Sequence, residues 1–210
     1  MDNRVRLLAL TVLVLALLAG CTTLTGTYEE TFDEAGKWVI DTTFEAETAV
    51  TGGRYEFLVK KDLGIFWSTA GENIGDGIYS VEARPLEGPL DNGYGMVFRA
   101  EDDAQSFYIF EVSGDGFVWI GYCLDGCAEQ VALVGDGWFP ADAVRQGLDV
   151  TNTLRVRAEA GNMIFYVNDR EVGRVTDNSL QRGDLGVIVE TLGEGGVLVA
   201  FDNYRVTPLD

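Results

Sequence analysis

From residue 28 onward the chain alternates short apolar stretches with turn-forming pairs. No stretch sustains the 3.6-residue spacing of an amphipathic helix. Period-two alternation or solid apolar character marks twelve candidate strands, at 55–60, 65–68, 78–84, 94–99, 106–112, 117–122, 128–134, 152–158, 163–167, 171–175, 185–189 and 197–206. They are punctuated by Gly52-Gly53, Asp76-Gly77, Asp115-Gly116, Asp136-Gly137, Asn168-Asp169 and Gly195-Gly196, residues that tolerate the left-handed backbone of tight turns. The one helical candidate is a turn over 140–145, where Pro140 is pre-set for a helix start. This spacing predicts an all-β, antiparallel sandwich or barrel. No Pro- or Ser-rich break divides the strands, so residues 28–210 are expected to form one domain.

Residues 1–20 follow a different rule. Arg4 and Arg6 precede an apolar run from Leu7 to Leu18, which is shorter than the roughly 20 residues of a comfortable membrane span. Leu18-Ala19-Gly20-Cys21 resembles the bacterial lipobox. That resemblance implies a signal peptide over 1–20, cleavage before Cys21, and several acyl chains that anchor Cys21 in a membrane. Thr22 to Thr27 then forms a polar tether reaching at most about 20 Å. The expected address is the extracytoplasmic face of a bacterial envelope. The absence of Asp after the lipid cysteine leans toward an outer membrane where one exists.

Charge narrows the partners. The chain carries 15 basic and 34 acidic side chains, a net charge of −19. Loss of residues 1–20 would leave 13 basic and 33 acidic groups, net −20. Nucleic acid would be repelled by such a surface. The sequence has no histidine, which removes His-based triads, Cys–His catalysis and His-ligated zinc.

Of the three cysteines, Cys123 and Cys127 flank Leu124-Asp125-Gly126 between two apolar runs. This predicts a three-residue hairpin with Gly126 left-handed and the two cysteines facing each other at disulfide distance. An exported protein would oxidise such a pair; two free thiols in a loop are the alternative reading.

The stretch from Arg99 to Phe117, with Asn152-Thr-Leu-Arg-Val, Phe165-Tyr-Val-Asn-Asp-Arg-Glu-Val, Gly183-Asp-Leu-Gly-Val and Ala200-Phe-Asp-Asn-Tyr-Arg-Val, resembles concanavalin A-like jelly rolls. The laminin-G-like and 3-keto-disaccharide hydrolase-like domains are the nearest in pattern. The resemblance covers roughly 75–206 and implies two curved sheets with a ligand site on the concave face or loop rim. It also implies a calcium position joining an N-terminal loop to the last strand, here Asp33 and Asp202.

Chemistry is sparse. The Glu-x-Asp-x-x-Glu strand pattern of glycosidases with this fold is missing, and Glu45 and Glu47 lack a third acid. Glu111 interrupts an apolar strand, where a carboxylate is costly without a partner, and Arg99 on the preceding strand is the expected balancing charge. Trp119, Tyr122 and the loop residue Trp138 are the candidate rings for stacking on a sugar. The leading expectation is an anchored, non-catalytic module that uses Arg99, Glu111, Trp119, Tyr122 and Trp138 to bind carbohydrate or another surface ligand. A glycoside-acting enzyme and a structural or protein-interaction module are the alternatives. An open groove of Trp, Arg and Glu would favour a ligand site, and a face filled by apolar side chains the interaction module.

Overall fold

The computed structural model describes residues 28–101 and 103–209. Residues 1–27, including Cys21 and the tether, lie outside them. The described chain contains fifteen strands and no helix. They are β1 (Tyr28–Glu30), β2 (Ala46–Val50), β3 (Tyr55–Val59), β4 (Ile65–Thr69), β5 (Gly77–Glu87), β6 (Gly93–Ala100), β7 (Phe107–Ser113) and β8 (Phe117–Leu124). There follow β9 (Glu129–Ala132), β10 (Phe139–Pro140), β11 (Asn152–Glu159), β12 (Asn162–Val167), β13 (Arg170–Thr176), β14 (Asp184–Glu190) and β15 (Val197–Thr207).

All twelve sequence-predicted strands are present. β1, β2 and β10 are additional; they are short, and two of them carry too few apolar side chains to signal themselves. The expected helical turn at 140–145 is instead the end of β10 followed by a single turn, Val144 N–H donating to Ala141 O at 3.0 Å. The next amide, Arg145 N–H, donates to Asn152 Oδ1 (2.8 Å), so the turn cannot propagate.

One sheet has the order β13-β12-β11-β5-β15-β3-β2, with β1 also paired to β15. The other runs β10-β8-β7-β6-β14-β4, with β9 paired to β8. Every pairing is antiparallel. The result is an all-β sandwich. Alternate residues of the eight-stranded sheet, such as Tyr79, Val81, Leu154, Val156 and Phe165, face Tyr94, Met96, Phe98 and Phe110 of the seven-stranded sheet. Phe110 and Phe165 meet edge-on across the interface at 5.2 Å.

Strand polarity gives the sandwich two ends. At one, β1 enters beside the close of β15 (Tyr28↔Val206), and Val206 in turn lies opposite Tyr79 near the start of β5. Arg99, at the close of β6, is tied to Asp76 and Ala160 at this same end. Gly93 begins β6 at the opposite end, six residues or roughly 20 Å from Arg99.

A candidate site on the outward face of the seven-stranded sheet

Every residue of β6 and β7 is buried, so the seven-stranded sheet is covered on both faces. Its inward face joins the main core. Its outward face carries a second cluster of Val97, Phe107, Ile109, Trp119, Cys123 and Ile188, with Trp67, Cys127 and Trp138 packed at its margin.

The cover comes from the β8–β9 hairpin. Gln130 of β9 donates a hydrogen bond to Glu190 of β14 (3.1 Å), although β8, β7 and β6 lie between the two strands. A flat sheet would separate β9 and β14 by four strand spacings, about 19 Å, further than two side chains reach. The sheet therefore curls, and the hairpin leans across its own concave face. A Cβ placed at Gly126, in the hairpin loop, would stand 3.8 Å from the ring of Trp67 on edge strand β4.

Cys123 and Cys127 form a disulfide in this hairpin, Cα to Cα 4.6 Å. The loop is Asp125 to Ala128, four residues rather than the expected three. Gly126 is left-handed (φ 63°) as expected, but so are Asp125 and Cys127. Cys127 thus lies within the loop, and the ladder partner of Cys123 is Gln130.

Glu111 sits on this concave face, in the row Trp119–Glu111–Gly95–Ile188–Trp67. It is 1% exposed, and its Oε1 meets no hydrogen-bond partner. Burial pushes its carboxyl well above the usual carboxylate range, and the charge of Glu190 pushes it further. Burial raises Glu190 as well, while the Gln130 amide opposes that shift. Gly93 lies beside both acids, opposite Glu190 in the β6–β14 ladder. A Cβ there would come within 3.0 Å of Glu111 Oε1 and within 3.0 Å of the Trp138 ring. Only glycine allows carboxyl and indole to close over the strand at this point.

Three of the five sequence-predicted ligand residues, Glu111, Trp119 and Trp138, therefore share one place. The other two do not. Arg99 is fully buried at the entry end and does not balance Glu111. Its Nη1 donates to Ala160 O (2.8 Å) and Leu180 O (3.2 Å), and its Nη2 to Asp76 Oδ1 (2.9 Å). The backbone at Arg99 is left-handed (φ 52°), and the β6–β14 register shifts beside it. This bulge sends the guanidinium to the loops at the sheet end. Tyr122 lies on the inward face, edge-on to Tyr108 at 6.3 Å, because strand alternation puts it opposite to Trp119 and Cys123.

Glu190, Gln130 and Trp67 complete the face and were not singled out from the sequence. Glu190 carried the same signal as Glu111, an acid ending a solid apolar strand. Trp67 also walls a cleft of about 390 Å³ between β4 and the segment from Val39 to Thr48. Glu45 and Glu47 at that cleft are taken up by Lys61 (2.6 Å) and Lys60 (3.0 Å).

Asp33 and Asp202 approach each other. Burial raises the Asp202 carboxyl, and the charges of Glu82 and Asp33 add to the shift. Asp202 lines a cleft of about 240 Å³ together with Arg54, Arg84 and Glu82, and Asp33 is not part of that lining. Among the described residues no group of three or more Cys, Asp or Glu side chains is gathered to hold a metal ion.

No protein-family model and no curated protein sequence matches the chain. Solved structures do. A carbohydrate-binding module of Bacillus subtilis, CBM66, superimposes with a TM-score of 0.64 at 19% identity, over 81% of this chain and 96% of that one. A protein of unknown function with a galectin-like fold from the same species gives 0.63 at 12% identity, over 86% and 94%. The β-glucanase of Bacillus licheniformis gives 0.60 at 14% identity, over 88% and 99%. At these identities the likeness concerns architecture: the chain is a galectin-like, concanavalin A-like β-sandwich.

Proposed function

We propose that this protein is a carbohydrate-binding β-sandwich that holds its ligand at the margin of the covered concave face, where Trp138, Gln130 and Glu190 reach the surface, without cleaving it. The observation that carries the reading is the half-buried Trp138 beside Glu111 at Gly93, with Trp119 next to Glu111 in the ladder, while Trp67 packs on Phe107 at the far margin of the same cluster and Trp38 is buried in the main core. Rings that line a concave face match the apolar faces of sugars, and carboxyl oxygens match their hydroxyls. The structural neighbours bear on this only as precedent, since one is a carbohydrate-binding module and another a glucanase.

One point favours binding over hydrolysis. Glycoside cleavage needs two carboxyls placed across a bound glycosidic bond. Here Glu111 is almost wholly enclosed under the hairpin and is closed off from such a bond. The test is titration of neutral oligosaccharides into the full chain purified in detergent, with product analysis alongside. Binding that weakens in Trp138→Ala, with no cleavage, supports the reading. Cleavage lost in Glu111→Gln overturns it in favour of an enzyme.

A second reading has its own observation. Val97, Ile109 and Ile188 fill the floor of the face completely, as an interaction module would require. Absence of binding to any glycan would select it.

We further propose that lipid on Cys21 anchors the domain at the outer face of a bacterial membrane, facing away from the cytoplasm. The Glu111–Glu190 end of the sheet is opposite the end where β1 enters, so an anchored domain would present its site away from the tether. Cys21→Ala should abolish lipid labelling. Calcium at Asp33 and Asp202 is a separate proposal. A rise in melting temperature on adding calcium, lost in Asp202→Asn, would support it.

A further inference from the structure

We infer that the outer edge of β4 is a docking site for an extended, basic polypeptide segment. The segment pairs with β4 as an added strand, lays its apolar side chains into the cleft beside Trp67 and turns its basic ones to solvent. The site is separate from the Trp138 margin and does not depend on what binds there.

β4 closes the seven-stranded sheet and pairs with β14 alone. Ala70 N–H donates to Leu185 O (2.9 Å), and Thr191 N–H donates to Gly64 O (2.8 Å). These two bonds fix the phase of the ladder. Phe66 and Ser68 turn their amides and carbonyls to β14, so Ile65, Trp67 and Thr69 turn theirs outward. Among the described residues those outward groups meet no partner. Sheet edges are normally blunted by charge, proline, a bulge or a covering segment. β13 carries Arg170, Glu171 and Arg174, and its pairing with β12 shifts register. β1 carries Glu29 and Glu30, β9 carries Glu129, and β10 has Pro140. β2 is covered by the segment before it, through the bridge Thr42↔Glu47 and the bond from Thr48 N–H to Asp41 O (2.8 Å). β4 reads Ile-Phe-Trp-Ser-Thr, uncharged and in unbroken register, and it alone among the described edge strands has no such guard.

The segment covering β2 extends the eight-stranded sheet by one row, and the seven-stranded sheet has no strand in the matching row. The cleft of about 390 Å³ lies there, with Val39, Asp41 and Thr43 on one wall and Phe66 to Thr69 of β4 on the other. Tyr55 Oη is 2.7 Å from Val39 O and 2.9 Å from Ser68 Oγ, so the two walls are tied together and the cleft is preformed. A second cleft of about 770 Å³, lined by Phe44, Lys60 and Lys61, adjoins it at Thr43 and Glu45. Val39 is 54% exposed and Phe44 96%, apolar area that a strand laid along β4 would cover. Strand spacing chooses the occupant. Ile65, Trp67 and Thr69 each offer a donor and an acceptor, about 7 Å apart along the edge, and this row matches alternate residues of another strand. A sugar chain carries no such row of amides. Charge chooses the side chains. Glu45 and Glu47 are held by Lys61 and Lys60, while Asp41 meets no cation among the described residues. The chain is −19 overall, so basic side chains suit the solvent side of the occupant.

An acidic chain attracts any polycation, so the experiment must separate strand pairing from charge. The probe is a capped peptide of alternating valine and lysine, about eight residues long to span β4, titrated into the full chain in detergent at about 0.15 M salt. Two N-methylated forms accompany it, one methylated on every valine and the other on every lysine. Alternate amides of a strand face the same edge, so one form should lose about tenfold or more and the other stay within about threefold of the parent peptide. Thr69→Pro removes an outward donor and spares the β14 ladder, since proline is accepted where an edge amide faces out. It should weaken the peptide by about tenfold at an unchanged melting temperature, whereas Thr69→Val, which keeps the amide, should stay within about threefold. The methylated pair decides by itself should Thr69→Pro lower the melting temperature. Equal effects of the two methylated forms, or parental affinity in a folded Thr69→Pro, reduce the contact to charge attraction and overturn the inference. A neutral glucose oligomer whose binding Thr69→Pro removes gives the cleft to a sugar and overturns it. A dimer in solution that Thr69→Pro dissociates gives the edge to a second copy and overturns it, as does failure of the unmethylated peptide to bind.

Discussion

The outward faces of the two sheets are both built on antiparallel strands and end in opposite states. On the eight-stranded sheet, β5, β11 and β12 alternate strictly between buried and half-exposed positions. Their outer residues include Ser80, Glu82, Arg84, Thr153, Arg155, Arg157, Ile164 and Tyr166. Arg155 lies over the Tyr166 ring at 4.0 Å and pairs with Asp169 at 3.3 Å, while Arg157 pairs with Glu159 at 2.6 Å. On the seven-stranded sheet, β6 and β7 are buried at every position and the outer residues form a second apolar cluster. The difference is one of cover. Water reaches the first face, so charge is cheap there and weakly stabilising. The hairpin roof keeps water from the second, so a charge there shifts its protonation instead.

The largest expected break in this contrast is Trp119→Ala. Trp119 is 5% exposed under the roof, and its loss should cost about 3–5 kcal/mol in urea unfolding. Tyr166→Ala on the open face should cost about 1 kcal/mol. Equal losses would mean that the concave face is not a second core.

Glu111→Gln tests the electrostatic half of the contrast. The folded carboxyl is raised, so its stabilising neutral form is present below the unfolded value near 4.3 and is lost as pH rises toward the folded value. The variant should therefore melt higher than the parent at pH 8, by about 2–4 °C for each kcal/mol relieved, and match it at pH 4. A difference independent of pH would show that Glu111 is not ionised at a cost.

Reduction of Cys123–Cys127 should have a smaller global effect. The bridge closes a loop of four residues, so its entropic contribution falls below the roughly 3 kcal/mol of a 15-residue loop. Its local effect is the sharper readout. A loosened roof should expose Trp67 and Trp138 and shift tryptophan emission to the red, and unchanged emission would separate the bridge from the cover. Smallest of all is Arg157→Ala on the open face, where an exposed pair should leave the urea midpoint unchanged within error.

The strand set, the sandwich class and the disulfide partners were legible in the sequence, because alternation, Asp-Gly and Gly-Gly turns and cysteine spacing act over a few residues. Glu111 was legible as an acid out of place, and the solid run Phe107 to Val112 already indicated a strand covered on both faces. Its partner was not legible. Arg99 stands on the neighbouring strand, but one left-handed residue and a register shift turn it toward Asp76, Ala160 and Leu180. Tyr122 was near Trp119 in sequence and on the wrong side of the sheet in space.

Local pattern thus determined which segments became strands and which side chains were anomalous. The tertiary structure alone decided that β9 leans over the concave face, that Glu190 rather than Arg99 neighbours Glu111, and that Trp119 and Trp138 flank it. Hydrophobic periodicity is set by a residue's own strand. The curl of the sheet and the bulge at its end depend on strands sixty or more residues apart, the close approach of Glu111 and Trp138 at Gly93 depends on separate strands and loops, and nothing short-range encodes them.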